Sequence, residues 1–255
     1  MRTDVLTFPL RKSRFPLLTI LGLIISVVMV APDIVGFRRT RPQNSSITHV
    51  PRPDKMVWPM IAYDAPPPSD PAKAAKRKAR GKKFNRSEFR IDPDDPSENT
   101  ALVDAADPSL PALPVIQSSA IFIGTVLGSE AFLSDDGSGV YSEFTVKIDE
   151  VIKADSPEVI AGSIAELDRQ GGRVRFPSGR IHWYSVDKQN VPIPKHQYVF
   201  FLTRKATSDA FEILTGYELN QGKVFPLDEL PQFRGFDGKD QHDFTNSLRL
   251  ALAHP

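Results

Sequence analysis

The sequence predicts an all-β domain, a small barrel or sandwich with one C-terminal helix, preceded by an N-terminal hydrophobic helix and a disordered linker. Three observations predict this organisation. Short apolar runs recur at near-regular spacing over residues 114–236, and turn-forming residues separate them. An uncharged run occupies residues 15–31. Of the 23 prolines, 14 lie between Pro32 and Pro114.

The chain begins with a basic flank, residues 1–14, followed by the 17 uncharged residues 15–31. A membrane anchor needs about 17 to 25 apolar residues, whereas a cleaved signal also needs small residues before the cut. Met29 is large at the position two before Ala31, so an uncleaved anchor is favoured over cleavage near Ala31. The basic flank favours an extracytoplasmic domain, which is membrane-anchored or, after cleavage, secreted.

Residues 32–113 predict a Pro-rich, basic, disordered tether, because few apolar residues are available to offset its ordering entropy. Residues 1–90 carry a net charge of +12 and residues 91–255 a net charge of −11. The tether is predicted either to contact a polyanion (lipid head groups, a wall polymer or nucleic acid) or to act as a solvated spacer. The basic residues concerned are Lys73, Lys76, Arg77, Lys78, Arg80, Lys82, Lys83, Arg86 and Arg90.

A long hairpin over residues 118–154 is the centre of the predicted β-domain. Its apolar strands, 120–127 and 141–152, flank the turn-forming residues 134–139. The first strand is apolar on both faces, which indicates a central strand. Gly124 and a phase slip at 149–150 each predict a bulge.

The rest of the domain, residues 114–236, predicts short strands and a closing helix. In residues 191–194 a proline follows each of the two β-branched residues. This pattern indicates an edge strand or a loop. A helix is predicted within residues 237–255, with Phe244, Leu248, Ala251 and Leu252 on one face. The other strands are predicted at 163–167, 173–176, 181–186, 198–203, 211–214, 216–219 and 223–226.

Residues 120–126, 141–146 and 150–153 resemble the first strands of small OB-type barrels, of the tissue-inhibitor-of-metalloproteinase and netrin-module kind. They also resemble exported bacterial β-domains with the same strand rhythm. The resemblance covers about 40 residues and implies the barrel fold. The inhibitor family acts through an N-terminal cysteine, and this chain has no cysteine. The resemblance therefore does not extend to that activity.

Several chemistries are excluded by the sequence. The absence of cysteine excludes disulfides, thiolate metal ligands and thiol nucleophiles. The chain contains no nucleophile elbow, phosphate loop or dinucleotide fingerprint, and no two histidines have zinc-site spacing. The sequence therefore assigns no catalytic, cofactor-binding or metal-binding residue and predicts no cofactor.

Two further groups of residues are candidate sites, and each also has a purely structural explanation. Paired carboxylates could act as acid and base or bind a cation, although turn formation and surface charge explain them more simply; they are Asp135, Asp136, Asp149 and Glu150. A groove for sugar or peptide has core packing as its alternative. It would be lined by His182, Trp183, Tyr184, Tyr198 and Phe200.

The function that these features predict is binding or scaffolding in the cell envelope by a β-domain on a flexible tether. One alternative is an extracytoplasmic enzyme whose site is assembled from scattered acidic and histidine residues. Another is an intracellular protein that binds nucleic acid through the basic run 73–90. The acidic domain itself argues against nucleic-acid binding, because phosphate neutralisation needs a cationic face.

Overall fold

The computed structural model describes residues 57–86, 101–204 and 210–254, and gives only the backbone of residues 101–105. The described residues belong to one compact unit. Its helices are α1 (Pro71–Gly81) and α2 (Gln241–Ala253), with single 3₁₀ segments at Lys82–Phe84 and Pro231–Phe236. Its strands are β1 (Met60–Ala62), β2 (Ala101–Ala105), β3 (Ala120–Leu133), β4 (Val140–Ala154), β5 (Ile164–Gln170), β6 (Gly172–Arg175), β7 (Ile181–Asp187), β8 (Gln197–Thr203), β9 (Phe211–Asn220), β10 (Lys223–Pro226) and β11 (Lys239–Asp240).

Five strands close into a barrel in the order β3–β4–β5–β9–β8 and back to β3. The pairs are antiparallel except β5–β9, which is parallel. That closing pair joins Leu167 to Phe211 and Asp168 to Glu212. The prediction of an all-β fold with a C-terminal helix is confirmed, and the architecture is the barrel.

The two longest strands, β3 and β4, bend around the barrel through bulges. Their register slips between Ile123 and Gly124, which leaves Asp149 as the extra residue. A Cβ atom on Gly124 would lie 2.6 Å from Cγ1 of Val146, so the strands approach too closely there for any side chain. The bulges predicted at Gly124 and at residues 149–150 are therefore confirmed.

The strand β3 is apolar on both faces because each face lies in a different core. Phe122 points into the barrel, where Phe144 and Phe200 are also fully buried. Ile121 points outward, into a second core beneath α2 that includes Phe244. The predicted helix face is confirmed, since Phe244 and Leu248 are buried and Ala251 and Leu252 pack against the same core.

A second, four-stranded sheet lies beside the barrel in the order β1–β6–β7–β2. Strands β6 and β7 form an antiparallel hairpin, and β1 and β2 add to its edges in parallel. The inner side of this sheet buries Val174, Phe176 and Tyr184 against Ala131 and Val140 of the barrel hairpin. The strands predicted at 173–176 and 181–186 form, but they belong to this second sheet.

The predicted disordered tether is wrong for residues 57–86. Trp58 is only 7% exposed and lies in the barrel core, β1 pairs with β6, and α1 packs on the barrel. The high proline content favoured disorder over the short apolar run around Trp58. The basic residues have partners far along the chain, which their local sequence does not indicate. Leu110 and Leu113, also assigned to the tether, pack against the core beneath α2.

Residues 1–56 and 87–100 lie outside the described residues. They include the apolar run 15–31 and the rest of the predicted tether. Within the ranges that the structure describes, no helix is both long and apolar enough to cross a membrane. The membrane anchor stays a prediction from the sequence.

Candidate binding surfaces

The basic run forms a helix, α1, because its ends and its interior all favour one. The carboxylate of Asp70 accepts a hydrogen bond from the backbone N–H of Ala72 at 2.9 Å, and Pro71 occupies the first turn. The interior consists of alanine, lysine and arginine, which are strong helix formers. The helix ends at Gly81, where a Cβ atom would lie 2.9 Å from the backbone nitrogen of Asp135 in the hairpin turn.

Two cations of the basic run, Arg80 and Lys83, pair with three carboxylates of the barrel. One guanidinium nitrogen of Arg80 is 3.1 Å from Glu143, and the other donates to Glu166. Lys83 donates to Asp168 at 2.8 Å. Glu143 and Asp168 are direct cross-strand neighbours on β4 and β5. We call this outward side of β4 and β5 the covered face; its residues are Tyr141, Glu143, Glu166 and Asp168.

Aromatic and backbone contacts fit the segment closely against the covered face. The ring of Phe84 stacks on Tyr141 with centroids 4.6 Å apart and planes 10° apart. A Cβ atom on Gly139 would lie 2.3 Å from the carbonyl oxygen of Phe84, so only glycine admits the chain there. The backbone N–H of Arg86 donates to Oγ of Ser138 at 2.6 Å. The attachment thus combines ion pairs with close packing.

Burial and charge shift the two β5 carboxyls of the covered face in opposite directions. Burial would raise the pKa of Glu166, but the hydrogen bond and charge of Arg80 outweigh it, and the pKa is lowered. Burial raises the pKa of Asp168, and Lys83 only partly opposes this effect. Within the described part of the chain, Oδ1 of Asp168 and Oε1 of Glu143 are buried without a hydrogen-bond partner. One oxygen of each of these two carboxylates therefore receives no hydrogen bond from the basic segment.

Most of the predicted polyanion contacts face the domain's own carboxylates. Lys73 and Lys82 are exposed, Arg86 is half-buried, and Arg90 lies outside the described residues. The remaining five lie within 4 Å of a carboxylate, as Lys76–Glu166, Arg77–Glu130, Lys78–Asp135, Arg80–Glu143 and Lys83–Asp168. Binding of a polyanion by this run stays a prediction.

The five residues of the predicted groove are not brought together. His182 and Tyr184 point to the buried side of the second sheet, where His182 packs edge-to-face on Phe176 at 4.7 Å. Tyr198 and Phe200 lie inside the barrel. Trp183 alone is exposed, on the opposite side of the second sheet.

The predicted carboxylate pairs lie at opposite ends of the β3–β4 hairpin. Asp136 accepts hydrogen bonds from Ser134 and Ser138 inside the turn. Asp149 accepts from Thr125 and Gln197, about ten residues along β4 and so roughly 30 Å away. The turn and bulge geometry accounts for both. Across the described ranges, no group of three or more histidine or acidic residues could hold a metal ion.

A second surface, on the outer side of the second sheet, alternates arginine with apolar residues. Trp183 and Ile181 are each 38% exposed and Met60 is 41% exposed. Arg173 lies 5.1 Å above the Trp183 ring, and its Nε donates to the carbonyl oxygen of Trp58 at 2.8 Å. We call this surface the open face. Its two cross-strand rows are Met60–Arg173–Trp183 and Ala62–Arg175–Ile181.

Part of each surface was visible in the sequence. The period-two alternation of residues 181–187 separates Ile181 and Trp183 from His182 and Tyr184, so the predicted groove conflicts with strand geometry. The same alternation places Glu166 and Asp168 on one side of β5. No local signal, however, indicates that β1 adds to β6 or that α1 packs on β4 and β5.

No protein-family model and no curated protein matches the sequence.

Proposed function

We propose that this protein is a binding or scaffolding module of the cell envelope. Residues 15–31 hold the chain at a membrane, and the β-domain is presented outside the cytoplasm. The ordered segment 57–86 makes the presented unit larger than the barrel alone. The part of the chain still predicted to be a flexible tether is correspondingly shorter than the proline content suggested.

The observation that carries this proposal is the open face, where exposed tryptophan, isoleucine and methionine surround arginines. Single exposed apolar residues are ordinary, but here three of them lie in two neighbouring rows of one sheet face, each row centred on an arginine. Tryptophan and arginine are also the residue types that contribute most to binding at interfaces. The open face therefore has the composition expected of a docking surface.

The barrel supports the same function by analogy. Its closed order of five strands supports an assignment to the OB type, whose barrels bind polymers on the outward side of their second and third strands. Those strands correspond here to β4 and β5, and the chain's own α1 lies on them. A further ligand would then dock elsewhere, which favours the second sheet.

A topology measurement tests the envelope location. The full chain is fused at its C-terminus either to a phosphatase that is active only outside the cytoplasm or to a fluorescent protein that matures only inside it. We expect phosphatase activity without fluorescence. The matched control carries Leu23→Arg and Val27→Arg, which interrupt the apolar run, and should lose both the activity and membrane retention.

Fluorescence from the unmodified chain, without phosphatase activity, would place the domain in the cytoplasm and refute the proposal. The mass of the purified protein decides between the two forms of export. An intact N-terminus indicates an anchor, and a start near Pro32 indicates a cleaved signal. Both results are compatible with an envelope protein.

A further inference from the structure

We infer that the open face docks on an anionic phospholipid surface. The inference rests on the proposed function for the location of the domain at a membrane. The basic run, the sequence's first candidate for contact with lipid, is not required.

The chemistry of the open face matches the level of the lipid head groups. Arg173 and Arg175 supply guanidinium groups, which bind phosphate through paired hydrogen bonds. Trp183 combines an apolar ring with an N–H donor, and tryptophan is enriched at this depth of a bilayer. Met60 and Ile181 can enter the boundary with the acyl chains. Each row places an arginine between two apolar side chains, so both kinds of contact form together.

The arginines are available for this contact. Within the part of the chain that the structure describes, no carboxylate pairs with Arg173 or Arg175. Arg173 is held in place by its hydrogen bond to the carbonyl oxygen of Trp58 and by its cation–π contact with the Trp183 ring. The opposite side of the sheet is packed on the barrel hairpin, which keeps the open face in one orientation.

The aromatic content of the open face favours lipid over nucleic acid. A single strand of nucleic acid would use stacking aromatic side chains, and among the described residues of the open face only Trp183 is aromatic.

The test measures how closely Trp183 approaches a bilayer in the full-length protein. The chain is reconstituted into nanodiscs of phosphatidylcholine, with or without phosphatidylserine, that contain bromine-labelled lipid as a quencher. The apolar run holds the chain in both, so retention is not the readout. The chain has two tryptophans, and Trp58 is buried. Subtracting the signal of a Trp183→Phe variant therefore isolates Trp183.

We expect Trp183 to be quenched in anionic nanodiscs and much less in nanodiscs of phosphatidylcholine alone. Arg175→Gln should lower the docked-to-undocked ratio about fivefold, because a basic residue near an anionic surface contributes roughly that factor. Arg173→Gln should act in the same direction. The matched control, Lys73→Gln on the exposed side of α1, should leave quenching unchanged, and thermal unfolding verifies that each variant is folded.

Equal quenching in both lipid compositions, or undiminished quenching in the folded Arg175→Gln variant, would overturn the inference. So would quenching of Trp183 by a single-stranded oligonucleotide but not by anionic lipid, since that result assigns the face to nucleic acid. These outcomes are separable from the envelope proposal. The topology reporter can place the domain outside the cytoplasm whether or not the open face binds lipid.

Discussion

The covered face and the open face show two fates for charged residues on the same small domain. On the covered face, Arg80 is 4% exposed and contacts two carboxylates, and Phe84 stacks on Tyr141 beside it. On the open face, Arg175 is exposed and lies next to the apolar Ile181. The same residue type thus stabilises the fold in one place and is available to a partner in the other. Surroundings, more than composition, decide which role a basic residue has.

The largest expected effect is the difference in the free energy of unfolding between variants that lack an arginine of the covered face and an arginine of the open face. Arg80→Ala should lower the free energy of unfolding by about 3 kcal/mol, because it leaves Glu143 and Glu166 without their buried cation. Arg175→Ala should change it by less than about 0.5 kcal/mol, as is usual for exposed residues. Urea unfolding of the two variants measures the difference. Equal losses in the free energy of unfolding for the two variants would contradict the distinction between the covered face and the open face.

A smaller effect is expected where the chain itself crosses the hairpin. Gly139→Ala should destabilise the protein by about 2 kcal/mol, because its Cβ would collide with the Phe84 carbonyl and force residues 82–86 away. Gly128→Ala is the matched control on β3, since no atom lies within 4 Å of the Cβ it would add. Hydrogen exchange of α1 should quicken in the Gly139 variant alone. Unchanged protection of α1 there would contradict the close fit.

The smallest effect concerns pH. Because the folded-state pKa of Glu166 lies below its ordinary value of 4.5, Glu166 stabilises the fold above that value. That stabilisation is lost as pH falls through the lowered pKa. Glu166→Gln should therefore flatten the acid limb of the stability profile, by under about 1 kcal/mol since Glu166 is half exposed.

Glu130→Gln serves as the control for this titration. Glu130 is 75% exposed and lies 3.9 Å from Arg77, so its substitution should change the free energy of unfolding by less than about 0.5 kcal/mol. Acid unfolding followed by circular dichroism compares the two variants. A steeper acid limb in Glu166→Gln than in the unmodified protein would reverse the expected sign.

The barrel could be predicted from the sequence because its signals are local. Alternating apolar residues flank an Asp-Gly turn at residues 134–139, and a glycine and a phase slip indicate the bulges at Gly124 and Asp149. The helix face of Phe244 and Leu248 follows from a 3.6-residue period. Each of these features depends on residues close together in the chain.

The role of residues 57–86 could not be predicted in the same way. Their composition is that of a disordered segment, and nothing within them names a partner. Arg80 is stabilised by Glu166, which lies 86 positions later, and Trp58 is buried in a core whose other residues lie between Ala120 and Leu227. The predicted groove failed for a different reason. It grouped His182, Trp183 and Tyr184 as neighbours, although alternate strand residues face opposite sides.

The distance along the chain between α1 and its partners sets an order of events during synthesis. A ribosome adds about 5 to 20 residues per second, so α1 emerges roughly 5 to 20 seconds before Glu166 and Asp168. During that interval its cationic residues have no carboxylates of β5 to pair with. If the chain is exported while it is being made, the segment passes the membrane in an unpaired, basic state. The barrel therefore completes the folding of a region that was synthesised before it.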